Sequence, residues 1–181
     1  MTNKYFGNLK AISTLCVSTF VAAATLLIAT PTFADDPKPV SQHKDWTVFA
    51  YEEGGKKTCF AVTQPTESLP KGVRRGSIFF SVTHSQTDKT VNAVSIAMGY
   101  PLRENSTPTV TIGGKVYSMF AQAETAWPAG DSVQTALVAA MKRGQKMSIK
   151  GTSSRGTNTT DNYSLSGITA AIGAAKTHCG L

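Results

Sequence analysis

Histidine and cysteine are scarce in this sequence, which holds three of each among 181 residues. The histidines, His43, His84 and His178, are far apart, and no pair has the spacing typical of metal ligands. The sequence also lacks a Gly-x-Ser-x-Gly nucleophile elbow and a Walker-type phosphate loop. These absences disfavour zinc enzymes, α/β-type serine hydrolases and P-loop nucleotide enzymes, so we expect a protein without a metal, another cofactor or a catalytic site.

The longest apolar stretch lies near the N-terminus, over residues 11–29, and follows two lysines. Thr32-Phe33-Ala34 then places small residues at the positions that a signal peptidase recognises. We predict that residues 1–34 are a cleaved signal peptide and that the mature protein has no transmembrane segment. The alternative is a retained membrane anchor, since about 19 residues of this character nearly span a bilayer.

Removal of residues 1–34 would take away two lysines and one cysteine, lowering the net charge from +7 to +5 and leaving Cys59 and Cys179. An even cysteine pair in an oxidising compartment favours a disulfide. This bond would close a loop of 120 residue steps, for which the chain-entropy model gives roughly 5 kcal/mol of stabilisation. The alternative is a nucleophilic Cys59 with His84 or His178 as its base.

Residues 35–44 are polar and contain two prolines, which predicts a flexible leader before a single domain of residues 45–181. Most of this domain shows the period-2 alternation of half-buried strands. Strands are predicted over 45–51, 57–64, 77–84, 91–99, 109–112, 115–120, 146–151 and 162–166. The pairs Gly54-Gly55 and Gly113-Gly114 predict tight hairpin turns, and residues 152–161 predict a polar loop.

Two helices are predicted, over 131–143 and 167–176. Asp131 and Gln134 fit a capping box for the first helix, and Ser166 is the expected cap of the second. Because the strands are short and do not alternate regularly with helices, the fold class is mainly β: an antiparallel two-layer β-sandwich with one or two short helices.

The excess of basic residues points to an anionic partner or to a simple solvated surface. The candidate binding surface comprises Arg74, Arg75, Lys150, Arg155 and the aromatic Trp127. Acidic lipids, polyanionic sugars and acidic proteins all fit such a surface, whereas nucleic acid is disfavoured because basic and aromatic residues are not interleaved. Residues 151–156 are either an anion-binding backbone nest or a solvated turn.

Short motifs run through the chain in a definite order. They are Asp45-Trp46-Thr47-Val48, residues 57–65 (KTCFAVTQP), Arg74-Arg75-Gly76, Gly99-Tyr100-Pro101, residues 150–157 (KGTSSRGT) and Tyr163-Ser164-Leu165-Ser166-Gly167. In this order and spacing, the motifs make the chain similar to the invasion-associated locus B family of exported alphaproteobacterial proteins.

The resemblance implies a protein of the periplasm or envelope with an immunoglobulin-like β-sandwich. We therefore expect a non-enzymatic envelope protein that binds a protein, a polyanion or a surface component of the envelope or of a host cell. The expected location is the periplasm, with outer-membrane association or secretion as alternatives. The competing hypothesis is a periplasmic enzyme acting on cell-wall or oxidised substrates, although the family supplies no catalytic residues to transfer.

Overall fold

The computed structural model describes residues 36–181, which form eleven strands and two helices. The strands are β1 (Lys38–His43), β2 (Trp46–Glu53), β3 (Lys56–Thr63), β4 (Glu67–Leu69), β5 (Phe79–Ser85), β6 (Thr90–Ala97), β7 (Thr109–Ile112), β8 (Lys115–Gln122), β9 (Thr125–Pro128), β10 (Lys146–Thr152) and β11 (Asn158–Ser164). The helices are α1 (Asp131–Arg143) and α2 (Ile168–His178). The predicted signal peptide, residues 1–34, lies outside the described residues, so its cleavage stays a prediction.

The strands pair antiparallel in the order β1-β2-β3-β5-β6-β9-β8-β7-β10-β11-β4. Strand β8 passes from one layer to the other, because its first half pairs with β7 and its second half with β9. Phe80 in β5 and Tyr163 in β11 are far apart in the strand order, yet their ring centroids are 6.3 Å apart. The open sheet therefore folds back on itself, and the predicted mainly β antiparallel sandwich with two short helices is confirmed.

The core lies where the facing side chains of the two layers meet the helices. Trp46 packs edge-on against Phe80, with ring centroids 6.0 Å apart, and its indole N–H donates to the Ser164 carbonyl oxygen at 3.2 Å. Both rings are completely buried. The buried Ile168 and Ile172 bring α2 onto this core. The inward-facing apolar side chains of β2 and β5 are therefore covered by the second layer and by a helix.

The predicted disulfide is confirmed. Cys59 in β3 and Cys179, directly after α2, are fully buried and bonded, with Cα atoms 5.8 Å apart. The Gln86 side-chain amide donates to the Cys179 carbonyl oxygen at 2.6 Å and accepts from the Lys57 amide at 2.8 Å. The C-terminal segment is thus fixed to β3 by one covalent bond and one bridging side chain.

Residues 38–43 form β1, so the prediction of a flexible leader is wrong there. The strand pairs with β2 from Lys38 opposite Ala50 to His43 opposite Trp46. It lies at the edge of the sheet, where Pro39 needs no ladder partner for its missing N–H, and its pairing shifts register between Pro39 and Ser41. The polar composition marks an edge strand rather than a mobile segment.

The two helices lie close to their predicted ranges, but both predicted caps are wrong. Gly130 precedes α1 without a side-chain cap, and Gln134 instead accepts a hydrogen bond from the Val94 amide at 3.3 Å. Gly167, not Ser166, is the N-cap of α2, with a φ of 95°. A Cβ on Gly167 would collide with the His43 backbone, so this position requires glycine. Neither helix is long and apolar enough to cross a membrane.

Candidate functional site

Three chain segments and one acidic side chain surround a cleft of about 460 Å³, which we call the arginine cleft. Its lining consists of Arg74, Arg75, Gly76, Gly99, Tyr100, Pro101, Glu124, Ser154 and Arg155. The segments come from the loop before β5, the loop after β6 and the turn between β10 and β11. The fold therefore brings together three of the five predicted surface residues, although about 80 positions separate Arg74 from Arg155.

Backbone hydrogen bonds hold the walls of the arginine cleft together. The Gly76 amide donates to the Gly99 carbonyl oxygen at 2.8 Å, and the Ser154 amide donates to the Pro101 carbonyl oxygen at 2.8 Å. Gly99 has a φ of 70°, and a Cβ there would lie only 2.7 Å from the Gly76 carbonyl oxygen. Glycine is thus required for this close approach of two segments.

Arg75 is the anchor of the cleft. Its Nη1 and Nη2 atoms each donate to one carboxylate oxygen of Asp161 at 2.7 Å, and its Nη2 and Nε atoms donate to the Met98 carbonyl oxygen at 2.7 and 3.2 Å. The guanidinium carbon also lies 4.9 Å from the centroid of the Tyr100 ring. With four of its five N–H groups engaged inside the protein, Arg75 has a structural role.

Tyr100 forms part of the same buried network. Its hydroxyl and that of Thr159 lie 2.6 Å apart in a hydrogen bond. Burial raises the pKa of Tyr100, so its hydroxyl stays protonated at neutral pH. The floor beneath the arginine cleft is therefore a paired and rigid polar network.

Arg74 and Arg155 differ from Arg75 because both are exposed. Within the described part of the chain, neither guanidinium makes an ion pair or a hydrogen bond. Glu124 is the one acidic residue in the lining and is itself exposed. A Cβ on Gly156 would lie 3.0 Å from an Nη atom of Arg103, so a fourth arginine stands beside the same turn.

The turn of residues 153–157 does not form the anion nest that its composition allows. The Ser153 and Gly156 amides donate to the carbonyl oxygens of Thr157 and Ser153, and the Thr157 amide donates to the Ser153 hydroxyl at 3.1 Å. The Ser154 amide is also engaged, with Pro101. Four of the five amides in this turn are therefore already paired, with Arg155 as the exception, so a nest of several free N–H groups does not form.

The structure places the other two predicted surface residues elsewhere. Lys150 lines a separate cleft on β10, with Ser106, Thr109 and Asn158 among its neighbours. Trp127 in β9 stacks on the exposed Phe120 of β8, with ring centroids 5.4 Å apart. Neither residue lines the arginine cleft, so the predicted surface divides into three separate places.

The cysteine and histidine considered for catalysis are bonded or buried in the fold, and the described residues give no complete catalytic arrangement around them. Cys59 is bonded to Cys179, and His84 is fully buried, where desolvation lowers its pKa. The Ser41 hydroxyl and the Nε2 atom of His43 are 3.0 Å apart on β1. Over residues 36–181, no carboxylate hydrogen-bonds to His43, and no three metal-ligating side chains cluster.

Sequence reasoning missed Asp161, Tyr100 and Glu124. Asp161 lies in a polar stretch that predicts a loop, yet Thr159, Asp161 and Tyr163 are all buried on one side of β11. The alternation with Tyr163 is the signal that marks this strand. It is hidden because two of the three inward positions carry polar side chains, which are satisfied by Tyr100 and Arg75.

Comparison with known proteins gives one family match. The family model described as Invasion associated locus B (IalB) protein matches residues 46–176, which span β2 to α2 and include every lining residue of the arginine cleft. No curated protein and no solved structure matches the chain. The match covers more than half of the sequence and agrees with the motif order, so the chain belongs to the invasion-associated locus B family.

Proposed function

We propose that this protein is a non-enzymatic, exported envelope protein that acts by binding an anionic partner at the arginine cleft. The observation that carries the proposal is the pair of exposed guanidinium groups, Arg74 and Arg155, held on two segments of a walled cleft. A cleft of this volume falls within the range of small-molecule sites. The partner is a component of the envelope or of a host-cell surface.

Export is supported by the disulfide together with the N-terminal signal pattern. The Cys59–Cys179 bond is buried and joins distant parts of the fold, which suits a protein that matures in an oxidising compartment. The proposed location is the periplasm, with outer-membrane association or secretion as alternatives.

The alternative is a periplasmic enzyme acting on cell-wall or oxidised substrates, and the Ser41–His43 hydrogen bond is the observation in its favour. An activated serine needs a base that is itself oriented by a third group and a site for the developing oxyanion. Ser41 and His43 instead lie two positions apart on one edge strand, so their hydrogen bond is a local contact between near neighbours in the sequence. A hydrolytic activity abolished by Ser41→Ala would replace the binding proposal with this one.

Export is tested by thiol counting on protein made from the full chain. Removal of residues 1–34 takes away Cys16, so the processed protein contains only the bonded Cys59 and Cys179 and has no free thiol. We expect the envelope fraction to contain protein that has lost residues 1–34 and resists alkylation without reductant. Unprocessed protein in the cytoplasm that retains Cys16 and reacts with the alkylating reagent without reductant would contradict the proposed export.

Binding at the cleft is tested by site-specific photo-cross-linking in intact cells. A photoreactive side chain at Ser154, which lines the arginine cleft, is compared with one at Lys56, which is exposed at the start of β3 and lies outside the cleft. We expect a discrete cross-linked species from position 154 that is absent from position 56. The same species from both positions, or none from position 154, would contradict binding at this cleft.

A further inference from the structure

The arginine cleft carries a more specific inference about the chemistry of its ligand, which rests on the binding function proposed above. We propose that Arg74 and Arg155 bind a phosphate group that belongs to a larger molecule. Among the described residues, both guanidinium groups are free, they belong to separate segments of the cleft, and the cleft has space beside them.

Two free guanidinium groups from separate segments suit a phosphate better than a carboxylate. A carboxylate has two oxygens, which one guanidinium fork already engages in a bidentate pair, as Arg75 does with Asp161. A phosphodiester also has two non-ester oxygens, but they belong to a tetrahedral rather than a planar group, so two forks on separate segments can each engage one of them. In this cleft, Arg75 already pairs with a carboxylate of the protein, whereas the guanidinium groups of Arg74 and Arg155 have no partner among the described residues.

Arg75 makes the site rigid without taking part in binding. Because its side chain is locked by Asp161 and Met98, the backbone of its neighbour Arg74 is held in place. Arg155 is held similarly, because the preceding residue, Ser154, is hydrogen-bonded to Pro101. Anchored backbones lower the conformational entropy lost when the two long side chains bind a ligand.

The charge balance favours a phosphate with one negative charge. Among the lining residues, Arg74 and Arg155 contribute two unpaired positive charges and Glu124 contributes one negative charge, while Arg103 stands outside the lining. A phosphodiester matches the difference, whereas a dianionic phosphomonoester leaves excess negative charge near Glu124. Glu124→Gln should therefore tighten the binding of dianionic inorganic phosphate more than that of a phosphodiester.

The cleft has room for more than a phosphate ion. Its volume of about 460 Å³ provides space for the group attached to the phosphate, and the exposed Pro101 provides apolar surface. The attached group is either a lipid, with the phosphate as its headgroup, or a soluble organic molecule. The two sources share the same chemistry at the arginines and are separated by experiment.

The first measurement is isothermal titration calorimetry of the processed protein, purified from the envelope, with glycerophosphodiester, inorganic phosphate and acetate. We expect saturable binding of the phosphodiester with a 1:1 stoichiometry and clearly weaker binding of acetate. Arg74→Gln and Arg155→Gln should each weaken phosphodiester binding by about tenfold or more, the amount expected for one charge-assisted contact. The matched control is Arg143→Gln, since Arg143 is exposed on α1 and lies outside the cleft.

If Arg143→Gln weakened phosphodiester binding as much as Arg74→Gln and Arg155→Gln do, the loss would be explained by net charge alone, and the proposal would be overturned. Absence of saturable phosphodiester binding, or acetate binding of equal strength, would overturn it as well. Flotation with vesicles of phosphatidylethanolamine and phosphatidylglycerol then identifies the source. Flotation that Arg155→Gln abolishes supports a lipid headgroup, and phosphodiester binding without flotation supports a soluble ligand.

These outcomes are distinguishable from failure of the proposed function. If position 154 cross-links a partner while phosphodiester binding is absent, the cleft binds something other than phosphate and only this inference fails. If Ser41→Ala abolishes a hydrolytic activity while Arg74 and Arg155 still bind the phosphodiester, the proposed non-enzymatic function fails and this inference stands.

Discussion

Arg75 and Asp161 form an ion pair that is almost completely removed from water, with 6% and 0% of their side chains exposed. Desolvating two charges costs several kcal/mol, and the loss is offset only when the geometry and the remaining hydrogen bonds are good. Here both carboxylate oxygens and four guanidinium N–H groups are satisfied. At the scale of the residue, the pair specifies where the loop before β5 crosses β11.

Removing one member of this pair should be far more damaging than removing both. Arg75→Leu leaves the Asp161 carboxylate buried without a partner, so the free energy of unfolding should fall by about 3–5 kcal/mol in urea denaturation. Arg75→Leu with Asp161→Leu should lose less than Arg75→Leu alone. The exposed neighbour Arg74 is the control, and Arg74→Gln should change stability by less than about 0.5 kcal/mol. A double variant less stable than the single one would show that the pair has been misread.

His84 makes stability depend on pH. Its pKa is lowered below 6.5, chiefly because burial disfavours the charged ring and also because Lys176 and Lys142 are near, while the Ile172 backbone acts in the opposite direction. As the pH falls below about 6.5, the unfolded chain takes up a proton that the folded chain resists. The free energy of unfolding should therefore decrease from pH 7 to pH 5.

The measurement is urea denaturation across that pH range. His84→Gln should give a flatter profile than the parent, because the titrating group is gone. His178→Gln is the matched control, since His178 is exposed at the end of α2 and its replacement should leave the slope unchanged. Equal slopes for the parent and His84→Gln would assign the pH dependence to other groups.

At the scale of the element, apolar alternation located the strands that face the core but missed three strands that are short or lie at an edge. β1 is an edge strand with a proline, β4 has three residues, and β9 ends at Pro128. Their places are determined by pairing with β2, β11 and β8, which no local pattern reveals. β11 extends into the predicted polar loop because Asp161 finds its partner 86 positions earlier in the chain.

The hairpin between β7 and β8 depends on glycine conformation rather than on space. Gly113 and Gly114 have φ values of 55° and 81°, and no atom lies within 4 Å of a Cβ at either position. Gly114→Val should lower the free energy of unfolding by about 1–3 kcal/mol, because a β-branched residue is strained at positive φ.

The control for this variant is Gly173→Ala. Gly173 also has open space around its Cβ position but lies inside α2, so alanine there should raise stability by about 0.5–1 kcal/mol. Thermal denaturation of both variants measures the difference. An unchanged midpoint for Gly114→Val would show that the turn tolerates other conformations.

At the scale of the whole molecule, one covalent bond joins elements that are 120 positions apart. The bond holds α2 against β3, and α2 contributes Ile168 and Ile172 to the core. Cys59→Ala should lower the free energy of unfolding by about 2–5 kcal/mol, the range for native disulfides in small secreted domains. Reduction of the parent protein should produce a comparable loss, and equal stability of the reduced and oxidised forms would contradict a stabilising role.

The fold class and both helix ranges could be predicted from the sequence, because composition and periodicity are local properties. The disulfide could be predicted because removal of residues 1–34 leaves a single cysteine pair. The candidate site was predictable only in part. The arginines were visible as basic residues, but their separation into one buried anchor, Arg75, and two free groups depends on Asp161 and on the folded positions of the loops. Trp127 and Lys150 were assigned to the same predicted surface because the sequence alone gives no distances between residues on different elements.

If Arg74 and Arg155 are the binding groups of one site, the Nε resonances of both must respond together to the same ligand. The chain has five arginines, all within the described residues, so a phosphodiester titration followed by ¹⁵N NMR monitors five side chains at once. We expect the Nε signals of Arg74 and Arg155 to shift along one saturating curve with a shared Kd, while those of Arg75 and Arg143 change little. Parallel shifts of Arg143, or no shift of Arg74 and Arg155, would contradict it.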